Sequence, residues 1–179
     1  MGAIRLEMTG GWPRLRNGAN EHGAQSLGAF LSFSERVQRA IVDEAHDAGI
    51  TAQAHIMSVE GLHTAVAAGC DLITHCNITG PVEIPAETIE LMVDNDCGAV
   101  IFPWTDKGMQ WLRDNIDDRS WTTVKATDAN ARNLVKAGAR ILLANDGAVV
   151  SQDLLDDPAA ASSWMGAPED VALGRLATG

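Results

Sequence analysis

The sequence predicts an α/β fold built on a parallel sheet, and three observations predict it. Short runs alternating apolar and polar residues are separated by longer runs with helical apolar spacing, glycines close most of the helical runs, and the two kinds of run succeed each other through most of the chain. With 179 residues, 46% apolar and 21% charged, the composition suits an ordinary globular chain, expected to form one domain over residues 1–179.

The first run, Ile4 to Thr9, sends Ile4, Leu6 and Met8 to one face and Arg5, Glu7 and Thr9 to the other. A glycine-rich loop, Gly10 to Leu31, follows, with His22 near its middle. Ser32 and Glu35 have the spacing of a capping box, and Val37, Ala40, Ile41, Ala45 and Ala48 carry a helix from about Ser34 to Ala48 that Gly49 stops. Ile50 to Ile56 is a strand with Thr51, Gln53 and His55 on one face and Ala52, Ala54 and Ile56 on the other. Val59, Leu62, His63, Val66 and Ala67 form the stripe of a short helix closed by Gly69. Leu72 to Cys76 is the third strand, with Ile73 and His75 expected on one face.

Pro85 suits the first turn of a helix whose buried stripe is expected to be Ile89, Met92 and Val93. Gly98 to Pro103 is a fourth strand, apolar on both faces, and two helices follow, Lys107 to Ile116 and Thr122 to Ala137. The second is expected to bury Val124, Ala131, Leu134 and Val135. Ile141 to Asn145 is a fifth strand with Asp146 at its C-terminal end, and Glu169 to Leu176 is weakly helical.

Charge and composition exclude several classes of function. Thirteen basic against 24 acidic residues give a net charge of −11, without the Lys/Arg clustering that binds phosphate backbones or anionic lipid, so neither nucleic acid nor membrane is an expected partner. No apolar run approaches the roughly 20 residues of a membrane span. The N-terminal stretch does not read as a signal peptide, and Cys70, Cys76 and Cys97 form no C-x-x-C motif, so a reducing, cytoplasmic setting is expected.

In parallel α/β folds, ligands bind beyond the C-terminal ends of the strands, where this sequence puts His55, His75 and Asp146. Imidazole nitrogen and carboxylate oxygen are the donors that borderline divalent metals take, and a carboxylate can accept a proton from an activated water. Two histidines and an aspartate from separate strands suit metal-assisted hydrolysis.

The segments AIVDEAHDAG, AQAH and AAGCDLITH, and later LVKAGARILLANDGA, resemble the amidohydrolase superfamily, especially its prolidase-like and imidazolonepropionase-like members. The resemblance implies a (β/α)8 TIM barrel with one or two divalent metals, zinc first and manganese or iron(II) as alternatives. It also implies hydrolysis of a C–N bond in a small amide, dipeptide or cyclic amide. On that likeness His55 and His75 match the metal-binding histidines ending the fifth and sixth barrel strands. Asp146 matches the aspartate ending the eighth, which activates the water and often touches metal. The chain then corresponds to roughly strands four to eight, a partial barrel.

Departures from the pattern matter equally. The family's first-strand His-x-His pair is absent, and Arg5 falls where binuclear members carry a carboxylated lysine, although Glu7 shares its face and could supply a carboxylate or pair with Arg5. A chain covering five strands is expected to leave two sheet edges open and to be marginal alone, or to pair with another copy as a homo-oligomer or with a complementary piece. Three readings therefore stand: a metal-dependent hydrolase seen as a truncated chain, a non-catalytic remnant or assembly module of such a barrel, and another barrel enzyme, such as an isomerase or lyase, that uses these strand ends without metal. The absence of a glycine-rich phosphate loop after the last strand counts against the third.

Other residues have plainer readings. His63 is expected to be structural and His46 a surface residue, while Trp12, Trp104 and Trp111 are divided between pocket lining and packing. Cys76 is expected to be buried rather than nucleophilic, and Asp94-Asn95-Asp96 to be a helix-ending turn rather than a calcium loop.

Overall fold

A computed structural model describes residues 3–7 and 33–144. The expected loop Gly10 to Leu31 with His22 and Trp12, Asp146, and the helical pattern after Glu169 lie outside the described residues. Among those described are five strands, β1 (Ala3–Glu7), β2 (Thr51–His55), β3 (Leu72–Thr74), β4 (Gly98–Ile101) and β5 (Ile141–Leu143). They alternate with α1 (Glu35–Asp47), α2 (Val59–Ala67), α3 (Ala86–Asp94), α4 (Asp106–Asn115) and α5 (Asp118–Lys136). No helix among the described residues is long and apolar enough to cross a membrane.

The strands form one parallel sheet in the order β1-β2-β3-β4-β5. That order never reverses, so the chain winds one way, as along an arc of a (β/α) barrel and unlike a doubly wound sheet, whose order reverses at a switch point. Register fixes the layers. Ala54, Ile73, Ala99 and Ile141 stand level across four strands, each at most 1% exposed, and with Ala52, Ile56 and Ile101 they make the sheet side of the core. The helices contribute Val42, Ala45, Leu62, Val66, Ile89, Met92, Ala131 and Leu134 to the same cluster. On the opposite face Gln53, Thr74, Val100 and Leu142 are half-buried, and His55 is buried.

Several local expectations are corrected. Ser34 precedes α1 and its side chain makes no capping bond, while Ser32 of the expected capping box lies outside the described residues. The buried stripe of α1 is Gln38, Val42 and Ala45, whereas Ala40 and Ala48 are exposed. In α3 the stripe runs through Thr88, Ile89 and Met92, leaving Val93 at the surface. Helix α5 begins four residues before the expected Thr122 because Asp117 caps it, accepting from the N–H groups of Arg119 at 2.9 Å and Ser120 at 3.0 Å. Those bonds, Ser120's first, hold the Asp117 carboxyl below the usual carboxylate range. The buried set of α5 is Ala126, Thr127, Asn130, Ala131 and Leu134, which puts an asparagine inside the apolar stripe.

The N-terminal end of the sheet is closed by a polar cluster. The Asp71 carboxylate accepts from the Ala52 N–H at 2.7 Å and lies 2.9 Å from His46 Nε2, while Arg140 donates to the carbonyls of Asp71 and Asp96 at 3.2 and 2.8 Å. Asp94-Asn95-Asp96 ends α3 as expected, with Asp96 at φ 51° and Asn95 Nδ2 donating to the Val66 carbonyl at 3.2 Å.

Candidate active site at the strand ends

The C-terminal end of the sheet collects the residues with chemistry. His55 is the last residue of β2, 5% exposed, and stands level with Glu7 of β1 and Thr74 of β3. Parallel register therefore puts a backbone position that carries a carboxylate beside a histidine, as the shared face of the first strand requires.

His75 reaches the site by a different route from the one expected. Register pairs Ile73 with Ala54 on the helix side, so continued alternation would carry His75 to that side too. The strand instead ends at Thr74, and His75 adopts φ +57°, a left-handed conformation uncommon for a residue with a Cβ. Backbone bonds hold it there on both sides: Cys76 N–H donates to the Val100 carbonyl at 3.0 Å and Ile78 N–H to the His75 carbonyl at 2.8 Å. The turned side chain packs edge-on against His55, ring centroids 4.5 Å apart at 62°, and against Phe102 at 4.7 Å and 31°. A backbone outlier at this point is the kind of strain that persists where the surroundings over-determine it.

The two histidines are thus brought together from adjacent strands, one buried and one half-buried. Two imidazoles on one tetrahedral ion, with metal–nitrogen distances of about 2.0–2.1 Å, hold their donor nitrogens about 3.3 Å apart, which neighbouring rings can provide. The donor set fits one side of a zinc-type centre. No group of three His, Cys, Asp or Glu that could hold a metal occurs among the described residues, and the third predicted member, Asp146, lies outside them.

The remaining candidates separate clearly. Cys76, directly after His75, is buried with its Sγ 3.9 Å from Met92 Sδ, and burial pushes its thiol well up, so it is no nucleophile. His63 bonds Thr88 Oγ1 at 3.0 Å, a structural role, though it is exposed rather than part of the buried stripe. Trp111 is 60% exposed and lines no core, whereas Trp104, after β4, is half-buried with its Nε1 buried and without a hydrogen-bond partner among the described residues.

Sequence reasoning passed over Phe102, Asn77 and Asn130. Asn77 and Asn130 are fully buried. The signal for Asn130 was available as a polar residue at helical spacing from Ala126, Ala131 and Leu134, but an asparagine in a helix reads as a surface residue until its partners are known.

No protein-family model and no curated protein matches the chain. Among solved structures it is similar to phenylurea hydrolase B, at 28% identity and a TM-score of 0.64, over 90% of this chain and 35% of that one. It is similar to molinate hydrolase at 31% identity and a TM-score of 0.58, over 73% of this chain and 28% of that one. The ochratoxinase of A. niger, 22% identical with a TM-score of 0.63 over 97% of this chain and 37% of that one, shares the fold. The chain therefore spans about a third of the length of the structures it matches. A sheet wound one way and the likeness to these hydrolases identify the chain as a partial (β/α) barrel of the amidohydrolase superfamily.

Proposed function

We propose that the chain is part of a metal-dependent hydrolase that cleaves a C–N bond in a small amide, urea, dipeptide or cyclic amide. The observation that carries this reading is the pair of imidazoles, His55 and His75, packed at 4.5 Å on adjacent strand ends of a one-way parallel sheet. The names of two solved neighbours above 25% identity, a phenylurea hydrolase and a molinate hydrolase, support hydrolysis and bring ureas into the substrate class.

On this reading His55 and His75 would hold a divalent cation, zinc first and manganese or iron(II) next, with Asp146 as a third ligand. When bound, the cation supplies Lewis-acid polarisation of the substrate carbonyl. Asp146 takes the proton of the attacking water and passes it to the departing nitrogen, which otherwise leaves as an unstable anion. His75, held by its backbone rather than by strand alternation, keeps its ring against His55 without rearrangement.

The test is metal content per chain by elemental analysis after dialysis, with His55→Ala and His75→Ala alongside. Near-stoichiometric metal lost in both variants supports the reading, and a metal-free chain overturns metal binding by this segment alone. In the full-length context Asp146→Asn is expected to abolish turnover with the fold intact, and retained turnover removes Asp146 from the role. A second reading, a non-catalytic remnant or assembly module, is favoured by Arg5 at the place of a carboxylated lysine.

A further inference from the structure

We infer that Asn77 is a positioning residue for His75, acting through Phe102, and that Asn130 locks the loop that carries it. Asn77 uses its side chain as a strand would use its backbone. Its Oδ1 accepts from the Phe102 N–H at 3.0 Å and its Nδ2 donates to the Phe102 carbonyl at 3.2 Å and to the Thr127 carbonyl at 3.3 Å. Phe102 follows directly after β4, and its ring lies 4.7 Å from that of His75. The side chain two residues past the histidine therefore fixes the aromatic wall against which the histidine ring rests.

Asn130 performs the matching task from α5. Its Oδ1 accepts from the Ile84 N–H at 2.8 Å, and its Nδ2 donates to Thr79 Oγ1 at 2.8 Å and to the Asn77 carbonyl at 3.2 Å. Thr79 in turn donates to the Val82 carbonyl at 2.7 Å. Both amides are fully buried with both ends used, the condition under which a polar network rigidifies rather than destabilises. A residue with a Cβ at φ +57° persists where its surroundings hold it, and this network adds to the two backbone bonds that flank His75. The network joins the β3–α3 loop, the end of β4 and α5.

The metal-binding arm of the test rests on the proposed function, and the ring arm does not. Asn77→Asp is near-isosteric but sets an oxygen against two carbonyls. In the folded, metal-free chain the nuclear Overhauser cross-peak between the His55 and His75 rings is expected to fall by at least half, and Zn2+ affinity by about tenfold or more. A cross-peak at wild-type intensity in the folded variant overturns the inference. Asn95→Ala serves as control, since it removes one buried-end bond at the opposite end of the sheet. An equal loss of the cross-peak there would mean general loosening and would also overturn it. If Asn77→Asp does not fold, amide exchange on the unaltered chain decides: Phe102 and Ile84 are expected to exchange as slowly as β4, and exchange at open-loop rates refutes the clamp. A wild-type chain that binds no Zn2+ overturns metal binding by this segment alone, and the ring cross-peak still decides the clamp.

Discussion

The left-handed backbone at His75 makes a prediction whose sign is opposite to the usual one. His75→Ala and His75→Gly both delete the ring and its contacts with His55 and Phe102, so those losses cancel in the comparison. What differs is the backbone. At φ +57° alanine keeps a steric penalty of about 1–2 kcal/mol that glycine escapes, while glycine loses about 0.5–1 kcal/mol more in chain entropy on folding. The glycine variant is therefore expected to be the more stable by roughly 0.5–1 kcal/mol. With a urea slope of about 2 kcal/mol per molar, its unfolding midpoint should lie about 0.3–0.5 M higher. Thr74, in the extended last position of β3, is the internal control, and there alanine should be the more stable of the pair. An alanine variant at 75 equal to or more stable than the glycine variant would refute the claim that the turn, rather than strand alternation, brings His75 to the site.

Gly98→Ala should change unfolding free energy by under about 1 kcal/mol: its Cβ would stand 2.7 Å from Leu72 Cδ1 and 3.4 Å from Arg140 Cζ, both side-chain atoms that can move aside, and alanine loses less chain entropy on folding; a loss above about 2 kcal/mol would refute that Leu72 yields. Asp71→Ala should cost about 1–3 kcal/mol by stranding the buried Ala52 N–H, whereas His46→Ala, which removes only an exposed partner of the same carboxylate, should cost under about 1 kcal/mol; equal costs would refute this division. The three thiols should resist alkylation at pH 8 until the chain is unfolded, since burial pushes Cys70 and Cys97 up to about 12 and Cys76 well up. Because the folded values exceed the ordinary value of 9.0, the unfolded chain loses these protons first, so stability is full below pH 9 and falls as pH rises towards about 12; a flat urea midpoint across that window would contradict it.

How much of this was legible depended on whether the signal is local. The five strands and their helices were readable from period alone, because half-buried strands and one-sided helices repeat at 2 and 3.6 residues whatever surrounds them. Helix faces were less so. Gln38 is buried in α1, donating from Nε2 to the Phe33 carbonyl at 2.9 Å, and Val93 is exposed, since apolar spacing cannot say which of two neighbouring stripes meets the sheet. His55 was placed correctly because it lies inside a strand whose alternation decides its face. His75 was placed at the right end by the wrong reasoning, because a left-handed residue leaves no mark on a sequence when it is not glycine. Asn77 and Asn130 were missed because their partners lie 25 to 53 residues away, beyond any spacing rule.

The same distinction governs what the half-site can do. His55 and His75 sit on neighbouring strands, about 4.8 Å apart by sheet geometry, and local structure suffices to bring their rings together. Asp146 follows β5, which is two strands from β3 and three from β2. In a flat sheet those separations are about 10 and 14 Å, more than a short carboxylate and a metal–oxygen distance of about 2.0–2.2 Å can span. Convergence on one ion therefore requires the arc to curve as a barrel does, so the proposed third ligand tests closure where the two proposed histidine ligands test only register. Asp146→Ala should weaken Zn2+ binding by tenfold or more if the arc curves in this chain alone. If affinity is unchanged while His55→Ala abolishes it, the two histidines act without the aspartate, and the curvature must be supplied by the wall that completes the barrel.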